Sequence, residues 1–205
     1  MNYLLIDTAC GTRGVIEYGG TVYYAENTVG SGSEALMPLI DGLLKKAGIT
    51  LADLDILGAC VGPGSFTGLR IGLATVKTVC YALGKRCFAV NNLRLYSYNN
   101  NGGKTIAIAD AGNKVCYIAA YDGDEEISPP ACVTLDDAKA FVAAHSDFAV
   151  STDTKLASVF GGKAGAGERE LVLAAHKAFG NGIDQKDLLP LYIRKAQPER
   201  GAGDL

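Results

Sequence analysis

With 205 residues, 48% of them hydrophobic and 20% charged, the chain has the make-up of an ordinary folded protein and the length for one large domain or two smaller ones. Its formal net charge of −3 leaves no global excess of positive charge to neutralise phosphates, which argues against nucleic-acid binding by the chain alone. No apolar run approaches the roughly eighteen residues of a membrane span, and the opening MNYLLIDTACGTRG lacks the charged leader of a signal peptide.

In chain order, NYLLID (2–7) is a compact apolar run of strand type, and RGVIEYGGTVYYAEN (13–27) reads as two strands around a Gly19-Gly20 turn. A helix is expected from about Glu34 to Ala47, with Leu36, Leu39, Ile40, Leu43 and Leu44 on one face and Gly48 closing it. Pro38 disturbs that pattern, so the helix either starts nearer Ala35 or is kinked there. LADLDILGACVG (51–62) gives a short helical turn and a buried strand. The loop GPGSFTG (62–68), a long helix and the strand RCFAV (86–90) follow.

Five consecutive Asn or Gly residues at 99–103 mark a boundary, dividing the chain into 1–100 and 101–205. Beyond it the opening repeats. TIAIAD (105–110) is an apolar run ending in Asp, and GNKVCYIAAYDGDEEI (112–127) is strand, glycine turn, strand at Asp122-Gly123. Asp7 and Asp110 precede their turns by nearly equal spacings, which predicts a duplicated α/β unit rather than one continuous doubly wound sheet. A helix at 135–144, a strand at 147–152, a glycine-rich mobile loop at 161–167, a helix at 168–179 and a mobile tail complete the expectation.

Few residues offer chemistry. Asp7 and Asp110 could hold Mg²⁺ and a nucleotide phosphate across two similar halves, or each could cap its own turn through backbone N–H groups. The loop around Gly64, Ser65 and Thr67 lies between a strand and a helix N-terminus, where N–H groups and the helix dipole favour an anion. It lacks the Walker A spacing and lysine, and Pro63 and Thr67 stand where G-x-S-x-G requires glycines. In the plainer reading Pro63 sets the turn and Ser65 or Thr67 caps the helix. His145 and His176 lie 31 residues apart, which rules out H-E-x-x-H zinc chemistry. The six cysteines include no C-x-x-C and mostly sit in apolar runs, as expected of a reducing compartment.

The helix after the loop is more telling. Gly68, Gly72, Thr75 and Val79 fall on one side, with Leu69, Leu73, Val76, Cys80 and Leu83 beside them. Such a band is wider than the roughly 100° stripe that packing on one sheet requires. Either the helix is sandwiched within its own domain or its small residues admit a helix from a partner. In the second case, replacing Gly72 by Trp should break the assembly and leave the monomer folded.

LLIDTA at the start, GPGSFTGLRIGLATVKTVCYALG in the middle and PLYIR near the end, in this order and separation, resemble the bacterial TsaB (YeaZ) family over essentially the whole chain. The resemblance implies the actin/hexokinase/Hsp70 ATPase-like fold (ASKHA, ribonuclease H-like): α/β, duplicated, two similar subdomains. It also implies a cytoplasmic, non-catalytic subunit in the synthesis of N6-threonylcarbamoyladenosine in tRNA. Such a subunit binds the transferase TsaD in a helical bundle, meets TsaE, pairs with itself when alone, and touches tRNA only through the complex. TsaC supplies the threonylcarbamoyl-adenylate. No cofactor or metal is implied as tightly held by the chain itself, although the complex uses ATP and Mg²⁺.

Carried onto this sequence, the partner surface comprises Leu36, Ile40, Leu43, Leu44, Gly68, Leu69, Gly72, Thr75, Val76 and Val79; Asp7, Gly64, Ser65, Thr67 and Asp110 mark a vestigial phosphate site. The chain departs from many relatives in three places: Gly32-Ser33, Asp110-Ala111-Gly112, and a shorter second half. The metal-ligand set that the superfamily's glycoprotease name would require is missing. The rival reading is an autonomous ATPase or kinase of the same fold using Asp7 and Asp110.

Overall fold

The computed structural model describes residues 1–27 and 32–194, with the side chains of residues 32 and 33 left aside. Three strands open the chain: β1 (Tyr3–Asp7), β2 (Thr12–Tyr18) and β3 (Thr21–Asn27). Next come α1 (Gly32–Ala47), β4 (Ile56–Gly62), α2 (Phe66–Leu83), β5 (Arg86–Asn91) and the short α3 (Asn92–Ser97). The pattern then recurs as β6 (Thr105–Asp110), β7 (Val115–Asp122), β8 (Glu125–Thr134), α4 (Leu135–Ala144), β9 (Ala149–Thr152), α5 (Ala157–Phe160), β10 (Lys163–Ala164) and α6 (Glu168–Ala178).

The two sheets have one topology. The first runs β3-β2-β1-β4-β5 and the second β8-β7-β6-β9-β10. In each, three antiparallel strands are followed by two parallel additions, since β1 pairs parallel with β4 and β6 with β9. The predicted duplication is therefore present strand for strand. Both hairpins close on two-residue loops, Gly19-Gly20 and Gly123-Asp124, with positive φ at Gly19, Gly20 and Gly123 as tight hairpin turns require. The second turn falls one residue later than expected.

Local signals set most boundaries. Ser65 caps α2 by accepting the Gly68 N–H at 3.1 Å, and Gly84 ends the helix in the left-handed conformation. Helix α1 begins before Ala35 rather than at it and carries Pro38 internally on its exposed side. Strand β8 runs past the expected end at Ile127 to Thr134. Its Pro129 and Pro130 fall where the register with β7 shifts between the Ile118–Ala131 and Ala120–Ser128 pairs, so a strand at the sheet's edge needs no N–H from them.

Three expectations are corrected. The 161–167 stretch is not a loose loop: it contains β10, paired parallel with β9, and a Cβ on Gly162 would stand 2.1 Å from the Val150 carbonyl oxygen. The boundary expected at the Asn/Gly run 99–103 is not open chain on its near side: α3 and a helical turn fill 92–100, with Leu93, Leu95, Tyr96 and Tyr98 buried. The chain also divides differently from 1–100 and 101–205. One compact unit is Met1–Asn92 with Gly167–Pro190; the other is Leu93–Ala166 with the described residues from Leu191 onward. Helix α6 joins the first unit by burying Leu171, Ala174 and Ala175, and its His176 Nε2 lies 2.6 Å from Glu17 Oε2 on β2. The tail expected to be mobile lies beyond residue 194, outside the described residues.

The first unit's core lies between its sheet and helices α1 and α2, built on Leu4, Ile6, Ile16, Leu36, Leu43, Leu57, Leu69 and Val76. In the second unit Ile106, Ile108, Cys116, Ile118 and Ala138 pack together. None of the six cysteines forms a disulfide. Burial pushes the Cys80 and Cys116 thiols up to about 12, whereas Cys10 is exposed. Titration of the native chain with a disulfide reagent at pH 8 should therefore modify Cys10 first and leave Cys80 and Cys116 until unfolding. Rapid reaction of Cys80 or Cys116, read by mass spectrometry, would contradict this.

Candidate functional site

The first unit's focus is the junction of β1, β4 and α2. Asp7, at the end of β1, is 1% exposed. Its Oδ2 accepts Arg13 Nε at 2.9 Å and Nη2 at 2.6 Å; its Oδ1 accepts the Ala9 N–H at 2.9 Å and Asn92 Nδ2 at 3.1 Å. Asn92 Oδ1 in turn accepts the Gly62 N–H at 2.9 Å. One buried carboxylate thus ties the ends of β1 and β4 and the starts of β2 and α3 together. With four donors on its two oxygens and a guanidinium beside it, Asp7 does not fit a Mg²⁺ ligand.

Asp110 holds the equivalent place in the second unit and repeats the local bond: the Gly112 N–H donates to its Oδ1 at 3.0 Å, as the Ala9 N–H does to Asp7. Its other oxygen pairs with exposed Lys155 at 3.2 Å, and its N–H donates to Asp153 at 2.6 Å. The turn-capping reading therefore holds for both acids. Among the described residues, no three or more His, Cys, Asp or Glu side chains are grouped to hold a metal.

The glycine loop is spent on the same junction. Ser65 N donates to the Ala9 carbonyl at 2.8 Å, and Thr8 Oγ1 donates to the Gly68 carbonyl at 2.8 Å. A Cβ on Gly64 would stand 2.6 Å from Ala9 Cβ, on Gly68 2.0 Å from Thr8 O, and on Gly72 2.3 Å from Thr8 Oγ1. The N–H groups of Gly62, Ser65 and Gly68, which could cradle a phosphate, are already donated inside the unit. Thr67 lies exposed on the first turn of α2.

These contacts decide which way α2 faces. Gly68, Leu69, Gly72 and Val76 are buried in the unit's own core, as are Leu36, Ile40 and Leu43 of α1. Leu44, Thr75 and Val79 are half-buried at its margin. Gly68 and Gly72 therefore admit the Asp7–Ala9 turn and not a partner helix, and the expectation that Gly72→Trp leaves the monomer folded is overturned. The outer face of α2 carries Thr67, Ile71, Ala74, Thr75, Thr78 and Ala82, small or uncharged throughout, with Tyr81 77% exposed at its edge. Arg70 lies over the Phe66 ring at 3.8 Å. On α1, Met37 is 51% exposed. Of this outer set the sequence reading named Thr75 for the partner surface and Thr67 for the loop; it missed Ala74, Thr78 and Ala82, because Ala and Thr carry no strong hydrophobic signal, and Ile71, which lies outside the small-residue band.

The arrangement defines a class: a duplicated α/β protein of the actin/hexokinase/Hsp70 ATPase-like fold whose central acid and loop are bound into the scaffold. By sequence, the chain belongs to the family described as TsaD, tRNA N6-adenosine threonylcarbamoyltransferase, whose profile matches residues 18–145. The tRNA N6-adenosine threonylcarbamoyltransferase of Sphingopyxis alaskensis is 41% identical over 76 residues, 37% of this chain and 22% of that protein. The chain thus spans about a fifth of such relatives. An uncharacterized protein of Mycobacterium tuberculosis is 32% identical over 139 residues, 65% of each chain.

Two solved structures share the fold. One is YeaZ from Pseudomonas aeruginosa, with a TM-score of 0.72, 19% identity and coverage of 93% of this chain and 99% of that one. The other is a Pseudomonas aeruginosa protein described as similar to peptidase YEAZ, with a TM-score of 0.77, 21% identity and coverage of 94% and 99%. The TsaB (YeaZ) resemblance carried by the motifs is thus matched by the fold. No helix among the described residues is long and apolar enough to cross a membrane.

Proposed function

We propose that this chain is a non-catalytic scaffold subunit in cytoplasmic tRNA N6-threonylcarbamoyladenosine synthesis, engaging a TsaD-type transferase through α1 and α2. The observation that carries this reading is the outer face of α2. After the inner face has been filled by the unit's own core, Ile71, Ala74, Thr75, Thr78 and Ala82 still present an uncharged, small-residue surface on which another helix could pack closely. Membership of the TsaD family supports the pathway. The same face can serve a second copy when the transferase is absent. TsaE, tRNA, ATP and Mg²⁺ belong on this reading to the assembled complex and not to this chain.

The test is co-purification with the TsaD of its own organism, followed by threonylcarbamoylation of tRNA with and without this chain. Modification only when both are present is the expected result; a transferase that neither binds the chain nor needs it would overturn the proposal. Ala74→Glu sharpens the test. Placing a carboxylate on the outer face should weaken association by about 30-fold or more, as loss of a hot spot does, while the melting temperature stays within about 2 °C because exposed substitutions cost little. A variant that binds normally would remove α2 from the interface.

The rival, an autonomous nucleotide-using enzyme, is disfavoured by the saturation of Asp7. Calorimetry with MgATP is its direct test. Saturable binding that is abolished by Asp110→Ala would revive it.

A further inference from the structure

At the opposite end of the first sheet from the glycine loop, where β1, β4 and β5 begin, a groove of about 560 Å³ opens between the 52–56 segment, the end of α2 and the turn at 179–182. That volume lies within the range of small-molecule sites, roughly 300–1,000 Å³. All of its walls belong to one unit.

The side chains lining the groove include two acids, Asp53 and Asp55, and two bases, Lys85 and Arg86, and none of the four is hydrogen-bonded to another. Lys85 Nζ donates to the carbonyls of Ala52 at 2.8 Å and Leu54 at 2.5 Å, so it braces the wall. Asp53 uses Oδ2 on the N–H and hydroxyl of Thr50, both at 2.8 Å, and Asp55 uses Oδ2 on the Asn2 N–H at 2.6 Å. Neither Oδ1 takes a hydrogen bond among the described residues. The Arg86 guanidinium is exposed and makes no hydrogen bond or ion pair there either.

Gly182 borders Arg86 on one side and Ile56 on the other: a Cβ there would press on Ile56 Cδ1 at 3.0 Å and make ordinary van der Waals contact with Arg86 Nε and Cζ at 3.5 Å. Phe179 and Leu83, the latter 40% exposed, supply apolar wall.

A free guanidinium offers paired N–H donors to a carboxylate. Free carboxylate oxygens in the same groove suit an ammonium group, and the presence of two acids among its charged side chains disfavours a polyanion such as nucleic acid. We propose that this groove binds a small zwitterion of the amino-acid class, its carboxylate on Arg86, its ammonium toward Asp53 and Asp55, and its side chain against Phe179 and Leu83.

The test is titration calorimetry of the full chain with the common L-amino acids one at a time, with acetate and ethylammonium as half-ligands, and NMR of the Arg86 and Gly182 amides as a second readout. At least one amino acid should bind saturably, about tenfold tighter than either half-ligand, and shift both amides. Arg86→Gln should weaken that binding about tenfold or more, with the circular dichroism spectrum unchanged because Arg86 is exposed. The proposal is overturned if no amino acid saturates by about 10 mM, if acetate binds as well as any of them, or if Arg86→Gln binds like the parent chain.

Discussion

Replacing Arg13 by Leu should destabilise the first unit by about 3–5 kcal/mol, the cost of breaking a buried ion pair from one side. Asp7 and Arg13 are 1% and 6% exposed at their side chains, so the carboxylate left behind would have neither water nor a counter-charge. The loss is a large share of the roughly 5–15 kcal/mol that holds a typical protein folded. Urea denaturation followed by far-ultraviolet circular dichroism reads it directly.

The double variant Arg13→Leu, Asp7→Asn should recover part of the loss, because an amide carries no charge and its oxygen can still accept from Ala9 and Asn92. A single variant as stable as the parent would show that Asp7 is not held as the geometry describes. The nucleotide reading predicts a different signature, in which MgATP stabilises the parent chain by mass action and fails to stabilise Asp7→Asn.

The second large effect is at Gly68. A Val there would drive a methyl-bearing Cβ into a backbone oxygen of the Asp7–Ala9 turn, which a Cβ would meet at 2.0 Å. Overpacking commonly costs 1–3 kcal/mol or more. Here the obstacle is main chain that cannot rotate away, so a loss of about 3 kcal/mol or more is expected, lowering the melting temperature by roughly 6–12 °C for a chain of this size.

Gly72 separates cause from coincidence, since its Cβ would meet only the side chain of Thr8, with Oγ1 at 2.3 Å. In a Thr8→Ala background, Gly72→Ala should be far less damaging than in the parent, whereas Gly68→Ala should remain fully damaging. Equal behaviour of the two glycines in a double-mutant cycle would contradict the packing described. These results bear on function. Substitutions at Gly68 or Gly72 that abolish assembly report on folding, and only outer positions such as Ala74 and Thr78 test the interface itself.

The sequence by itself determined the architecture. Two apolar runs each ending in Asp, followed at matching distances by glycine turns, dictate two hairpins of one design, because a tight hairpin demands positive φ where Gly19-Gly20 and Gly123 stand. Ser65 and Gly84 delimit α2 for equally local reasons. The turn-capping role of Asp7 and Asp110 was also within reach, since an Asp can accept the N–H two residues on without help from elsewhere.

Tertiary structure decided the rest. Gly68 and Gly72 lie on one side of α2 and the short side chains of Ala74 and Thr78 on another, so a pattern of small residues cannot say which side of α2 meets its own fold. The path of the Asp7–Ala9 turn settles it by occupying the space beside both glycines. Arg13 becomes the partner of Asp7 through strand pairing at the Asp7–Arg13 register. Helix α6 leaves the second half for the first because it packs on β2 and β5, strands laid down far earlier in the chain, and its His176–Glu17 contact spans a separation of 159. Local propensity acts over a few residues, whereas the choice of packing partner is made only when distant segments compete for the same apolar surface.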